Sequence, residues 1–192
     1  SIDTDTGYPG AQEEKHYVFP CGGFGDQLTW LENDLKQANA DRALRPWIFV
    51  SGHHPMYNGD SINADFQKAM ENLFYQYGVD VYFAGHVHSY ERDMPVYQGQ
   101  VDAAGYNNPK ATTHLLIGGA GNDEMKQIQY AKLLDPSPKE GKGLTKWYAS
   151  STNGAWTVVT DKDEHVGIGK VNIIDDNNLE FQYIRTKTNE VF

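Results

Sequence analysis

Two apolar runs bracket a segment of helical periodicity, and each run ends on a pair of histidines. The first is Pro46-Trp47-Ile48-Phe49-Val50, closed by Ser51-Gly52-His53-His54-Pro55. The second is Val79-Asp80-Val81-Tyr82-Phe83-Ala84-Gly85, closed by His86-Val87-His88. The first run shows no alternation, which predicts a strand covered on both faces. Between the runs, Ser61 or Asn63 can cap a helix in which Phe66, Met70, Leu73 and Tyr77 recur, and Gly78 stops it. Strand, helix, strand in this order is a βαβ unit, whose strands run parallel with both C-terminal ends at one sheet edge. Open α/β sheets assemble their sites at that edge.

Other segments fall around this unit. Residues 26–39 place Leu28, Leu31, Leu35 and Ala38 on one helical stripe, with Asp26 as N-cap. His114-Leu115-Leu116-Ile117 reads as a further strand entering the Gly118-Gly119 turn, and residues 122–146 as a polar excursion with a helical middle over 125–134. Residues 166–174 and 179–186, joined by Asp175-Asp176-Asn177-Asn178, predict a closing β-hairpin. Ser1-Ile2 resembles the tail of a strand that starts earlier.

Composition narrows the function classes. At 192 residues with 39% apolar side chains, the chain can bury one ordinary core. Its net charge of −10 argues against binding nucleic acid or an anionic membrane surface, and no apolar stretch is long enough for a membrane span. A single cysteine, Cys21, excludes an internal disulfide and a thiolate metal cage; it is a small thiol or a bridge to another chain.

Imidazole suits zinc, iron, manganese and similar ions. In a strand or tight loop, His86 and His88 at i and i+2 project to one side, and His53 can face them across the sheet edge. Three histidines at homologous strand ends therefore point to metal binding. His16, His114 and His165 carry no ligand spacing and read as structural.

Val50-Ser51-Gly52-His53 with Pro55-Met56-Tyr57, and Gly85-His86-Val87-His88-Ser89-Tyr90-Glu91-Arg92 followed by Pro95-Val96-Tyr97, resemble the VxxH and GHxH blocks of the purple acid phosphatases, within the calcineurin-like metallophosphoesterases. Trp30 to Leu35, the turn from Gly118 to Glu124, and His165-Val166-Gly167-Ile168-Gly169 resemble further segments of that family in the same order. The resemblance implies an α/β fold, the C-terminal part of an α/β/β/α sandwich with mixed sheets ending in the hairpin, and places residues 1–192 in one catalytic domain. It implies that His53 and His86 bind a divalent ion (Zn2+, Mn2+ or Fe2+) and His88 a ferric ion. It also implies hydrolysis of phosphomonoesters and a secreted or otherwise extracytosolic setting.

The family completes its two-metal centre with GDxx, GDxxY and GNH[DE] blocks, which have no counterpart here: Gly25-Asp26 opens a helix, and Gly121-Asn122-Asp123 lacks the histidine. Three imidazoles shared between two ions leave each under-coordinated. The expectation is therefore a partner, an N-terminal fragment of the same precursor that supplies the remaining ligands. Plant members also carry substrate-facing histidines beyond the VxxH block, where this chain reads Asn58 to Asn63. His54 can replace such a donor as a catalytic residue, hydrogen-bonding a phosphate oxygen or protonating the leaving alcohol; the plainer reading is a rim histidine. Tyr57 and Tyr90 are expected to pack beside the site, and Glu91 with Arg92 to form a pair that orients the GHVH loop. Gly118 to Gly121 is read as a turn, lacking the Lys-Ser/Thr ending of a phosphate loop. The alternatives are a phosphodiesterase of the same superfamily and a non-catalytic metal-binding or interaction remnant.

Overall fold

The computed structural model describes residues 1–4, 26–121, 155–161 and 166–191. Cys21, His16, His165 and the polar excursion at 122–146 lie outside the described residues. In chain order the elements are helix α1 (Gln27–Ala40), strands β1 (Phe49–Ser51), β2 (Tyr57–Asn58) and β3 (Ser61–Ile62), and a continuous helical stretch made of α2 (Ala64–Phe66), a π turn (Gln67–Glu71) and α3 (Asn72–Tyr77). Strands β4 (Val81–Ala84), β5 (Tyr90–Asp93), β6 (Val96–Tyr97), β7 (Gln100–Val101), β8 (Thr113–Ile117), β9 (Thr157–Asp161), β10 (Gly167–Ile173) and β11 (Leu179–Arg185) follow.

The central sheet has five strands in the order β1-β4-β8-β5-β9. β1, β4 and β8 are parallel, whereas β5 runs antiparallel to both β8 and β9, so the sheet is mixed. The expected βαβ unit is present as β1, the helical stretch and β4, with Phe49 opposite Val81 and Ser51 opposite Phe83. β5 carried no sequence expectation, whereas β9 falls in the strand-and-turn pattern that the sequence shows from Trp156 onward. β5 is four residues long and follows directly on the histidine loop, so its pattern was masked by the motif beside it.

The helices form where the sequence places their caps. Asp26 accepts the Thr29 amide at the start of α1. Asn63, rather than Ser61, caps the helical stretch by accepting the Phe66 amide, and Gly78 closes it in the left-handed region at φ 66°. The π turn inserts one residue into the helical period, so the fully buried stripe runs Phe66, Met70, Phe74 instead of continuing to Leu73. Leu73 and Tyr77 pack at its margin.

One face of the sheet carries Val50, Tyr82, Ala84 and Leu116 against Phe66, Phe74 and Met70, the centre of the hydrophobic core. The opposite face meets the hairpin of β10 and β11: Tyr90 stacks on Tyr183 with ring centroids 4.1 Å apart, and Phe181 packs on Phe83 and Tyr90. The hairpin closes as predicted, with Gly167 opposite Arg185 and Ile173 opposite Leu179. β1 departs from expectation: Val50 is buried, but Phe49 and Ser51 are exposed. β1 is the outer strand of the described sheet, and Phe181 of the hairpin packs on Phe83 of β4.

Candidate metal centre

β1, β4 and β8 end on the same sheet edge, and the loops that follow them build the site. The β1 to β4 ladder does not stop at the last strand residue. Gly52 N–H donates to the Phe83 carbonyl at 3.0 Å and Gly85 N–H to the His53 carbonyl at 2.9 Å, which zips the two histidine loops together. The result is that Nδ1 of His86 stands 3.2 Å from Nε2 of His53.

His54 joins this pair. Its ring centroid lies 4.0 Å from that of His86 and 5.2 Å from that of His53. Among the described residues, His53, His54 and His86 form the one group of three potential ligands whose ligand atoms all lie within 4.8 Å of one another. His53 is exposed and the other two are partly buried, as an ion-accessible site at a strand end requires. His88 stands two residues further on, partly buried and outside that group. Of the strand or tight loop that the sequence allowed for His86 and His88, the structure has the tight loop, with His86 at φ 63°. Val87 N–H donates to the Gly85 carbonyl and Ser89 N–H to the Val87 carbonyl, so successive γ-turns replace the strand. Positive φ is uncommon for a residue with a side chain and persists only where the surroundings impose it.

The surroundings do impose it. Gly118, at the end of β8, lies so close beneath the loop that a Cβ there would overlap the Val87 carbonyl. Gly119 lies against Tyr183 in the same way, and its carbonyl accepts the Gly167 amide at 3.0 Å. The glycine turn is thus a seat for the histidine loop. Gly52 plays the corresponding part under the other loop, where a Cβ would meet the Tyr82 hydroxyl at 2.6 Å and Thr4 Cγ2 at 2.7 Å. Those two side chains clamp His54, since its N–H donates to Thr4 Oγ1 and its carbonyl accepts the Tyr82 hydroxyl, each at 2.7 Å. Sequence reasoning missed Tyr82 and Thr4; a tyrosine within an apolar strand gave no signal of a role.

Glu91 and Arg92 are not the expected orienting pair. As neighbours on β5 they lie on opposite faces, and Glu91 instead accepts the Gly59 amide at 2.7 Å and the Thr157 hydroxyl at 3.3 Å. Asp93 shares Glu91's face, and burial, followed by the Glu91 charge and hydrogen bond, pushes its carboxyl up to about 9. Tyr57 is buried with its ring on His114 and Trp156 and its hydroxyl donating to Glu71. His114 is buried between Tyr57 and Tyr82, and burial lowers its pKa to about 3, the behaviour of a structural histidine.

The nitrogen spacing fits a metal. A tetrahedral ion about 2.0–2.1 Å from two imidazole nitrogens holds them about 3.3 Å apart. The His53 and His86 nitrogens, at 3.2 Å, already have that spacing.

The mixed α/β fold is consistent with a metallophosphoesterase, and the model of the calcineurin-like phosphoesterase family matches residues 3–90. A second model, iron/zinc purple acid phosphatase-like protein C, matches residues 111–192. Together these two matches and the acid phosphatase relatives support a purple acid phosphatase-type fragment. It is 34% identical to acid phosphatase A of Cryphonectria parasitica, covering 99% of this chain and 34% of that protein. It is 32% identical to purple acid phosphatase 15 of Arabidopsis thaliana, covering 77% of this chain and 31% of that protein. The purple acid phosphatase isolated from yellow lupin (Lupinus luteus) seeds shares the fold at a TM-score of 0.60 and 23% identity, over 91% of this chain and 28% of that one. The chain spans about a third of the length of the curated relatives it matches. No helix among the described residues is long and apolar enough to cross a membrane.

Proposed function

We propose that residues 1–192 are the C-terminal part of one metallophosphatase catalytic domain, and that the complete protein hydrolyses phosphomonoesters at acidic pH. The observation that carries this reading is the 3.2 Å approach of His86 Nδ1 to His53 Nε2 at adjacent parallel strand ends. His53 and His86 would hold a divalent ion (Zn2+, Mn2+ or Fe2+) and His88 a ferric ion. When bound, such a pair supplies Lewis-acid charge on the phosphoryl oxygens and an activated water. The metal charge also answers how a chain of net charge −10 draws in an anionic ester.

The chain's own residues bind and orient. Gly118 and Gly52 seat the two loops, and the Tyr82 hydroxyl and Thr4 Oγ1 fix the His54 backbone. His54, beside the metal-binding nitrogens, is placed to donate a hydrogen bond to a phosphate oxygen or a proton to the leaving alcohol. Three imidazoles cannot complete two coordination spheres, so the reading includes a partner segment that brings carboxylate and other ligands. Two features support it: the relatives are about three times as long as the matched region, and Trp30 and Phe49 leave apolar surface exposed beside the outer strand β1. An extracytosolic setting belongs to the same reading.

Steady-state kinetics of the complete protein on paired aryl phosphate monoester and diester substrates test it. The reading predicts a preference for the monoester in kcat/KM and two metal ions per assembly. Preference for the diester would assign a phosphodiesterase instead. Absence of both turnover and metal after gentle purification would leave a binding module.

A further inference from the structure

The sequence offers His54 as a rim histidine or a substrate-facing donor, yet its ring is packed inside the ligand cluster. We infer that in the phosphate-free site His54 is a third imidazole ligand to the ion held by His53 and His86. The inference rests on the metal-site reading above and adds a residue to it.

Three observations converge on it. The potential ligand atoms of His53, His54 and His86 all lie within 4.8 Å of one another, so one ion reaches all three with small ring rotations. The His54 ring is closer to His86 than His53's ring is, with centroids 4.0 Å apart against 5.0 Å. Its backbone is also fixed on both sides, the N–H by Thr4 Oγ1 and the carbonyl by the Tyr82 hydroxyl, each at 2.7 Å. A side chain on a pinned backbone loses less conformational freedom when it coordinates, which is how supporting groups strengthen a metal site. Three imidazoles around one borderline ion, with a position left open, form a donor set that zinc and cobalt accept readily. A phosphate oxygen that took the place of His54 on the ion would free its imidazole to act on the ester.

The test uses the complete protein, stripped of metal and titrated with Co2+ in phosphate-free buffer. His54→Gln should weaken Co2+ binding on the order of a hundredfold and change the visible d–d spectrum. His54→Cys should keep the binding and add a thiolate-to-cobalt charge-transfer band, which appears only if position 54 touches the ion. Circular dichroism of each variant shows whether it has kept its fold. Wild-type affinity in folded His54→Gln together with no charge-transfer band in folded His54→Cys would overturn the inference. So would the absence of Co2+ binding by the unmodified protein. None of these readouts depends on turnover, so loss of the phosphatase reading and loss of this one are separately visible.

Discussion

His86 Nδ1 stands 3.2 Å from His53 Nε2, although 33 residues separate them in sequence. The juxtaposition follows from backbone pairing. Parallel β1 and β4 extend their ladder through Gly52 and Gly85, and His86 turns back at φ 63° to point its ring at His53. The chemistry of the site is therefore inherited from the sheet, with glycines making room for the turn.

Gly118→Ala tests that room. A methyl group there would overlap the Val87 carbonyl, which is backbone and cannot rotate away. The expected outcome is a loss of about 1–3 kcal/mol of stability in denaturant titration. Metal affinity should fall with it, because the displaced segment carries His86 and His88. Unchanged metal affinity would mean that the loop is not seated on β8.

Tyr82→Phe removes the hydroxyl that holds the His54 carbonyl at 2.7 Å while keeping the ring against Phe66 and Phe74. A single lost hydrogen bond of this kind costs about 1 kcal/mol. Thermal unfolding should register that loss, and an upward drift in the mobility of the His54 loop should appear in hydrogen exchange at the His54 and Pro55 region. A variant as protected as wild type would show that the clamp does not hold His54.

Asp93 sets a pH dependence of stability. Its folded carboxyl titrates at about 9 against an ordinary 3.8, chiefly because it is buried and then because Glu91 is beside it. Between those values the folded chain holds a proton that the unfolded chain has released. Stability from this group is whole below about pH 4 and is lost as pH rises through 9. Unfolding free energies measured from pH 4 to pH 9 should fall with pH, and Asp93→Asn should flatten the slope; an identical slope in the variant would contradict the assignment.

The sequence made the histidine-bearing edge legible because its two strand ends carry histidines at positions fixed by a βαβ unit. It also revealed the caps at Asp26, Asn63 and Gly78, whose side chains or lack of one act locally. What stayed hidden depends on contacts distant in sequence. Thr4 reaches His54 across 50 residues, and Tyr82 reaches it across 28. The partnership of Glu91 with Gly59 rather than Arg92 follows from which face of β5 each occupies, and that strand is too short to show a period. The π turn shifted the buried stripe from Leu73 to Phe74 because ideal 3.6-residue spacing cannot anticipate an inserted residue.

Metal content and turnover of the complete protein, compared between wild type and His86→Ala, bear most directly on the histidine pair at the two strand ends. The account predicts two metal ions per assembly in the wild type, fewer in the variant, and loss of phosphomonoester turnover with the circular dichroism spectrum retained. Wild-type turnover and full metal content in a folded His86→Ala protein would contradict it.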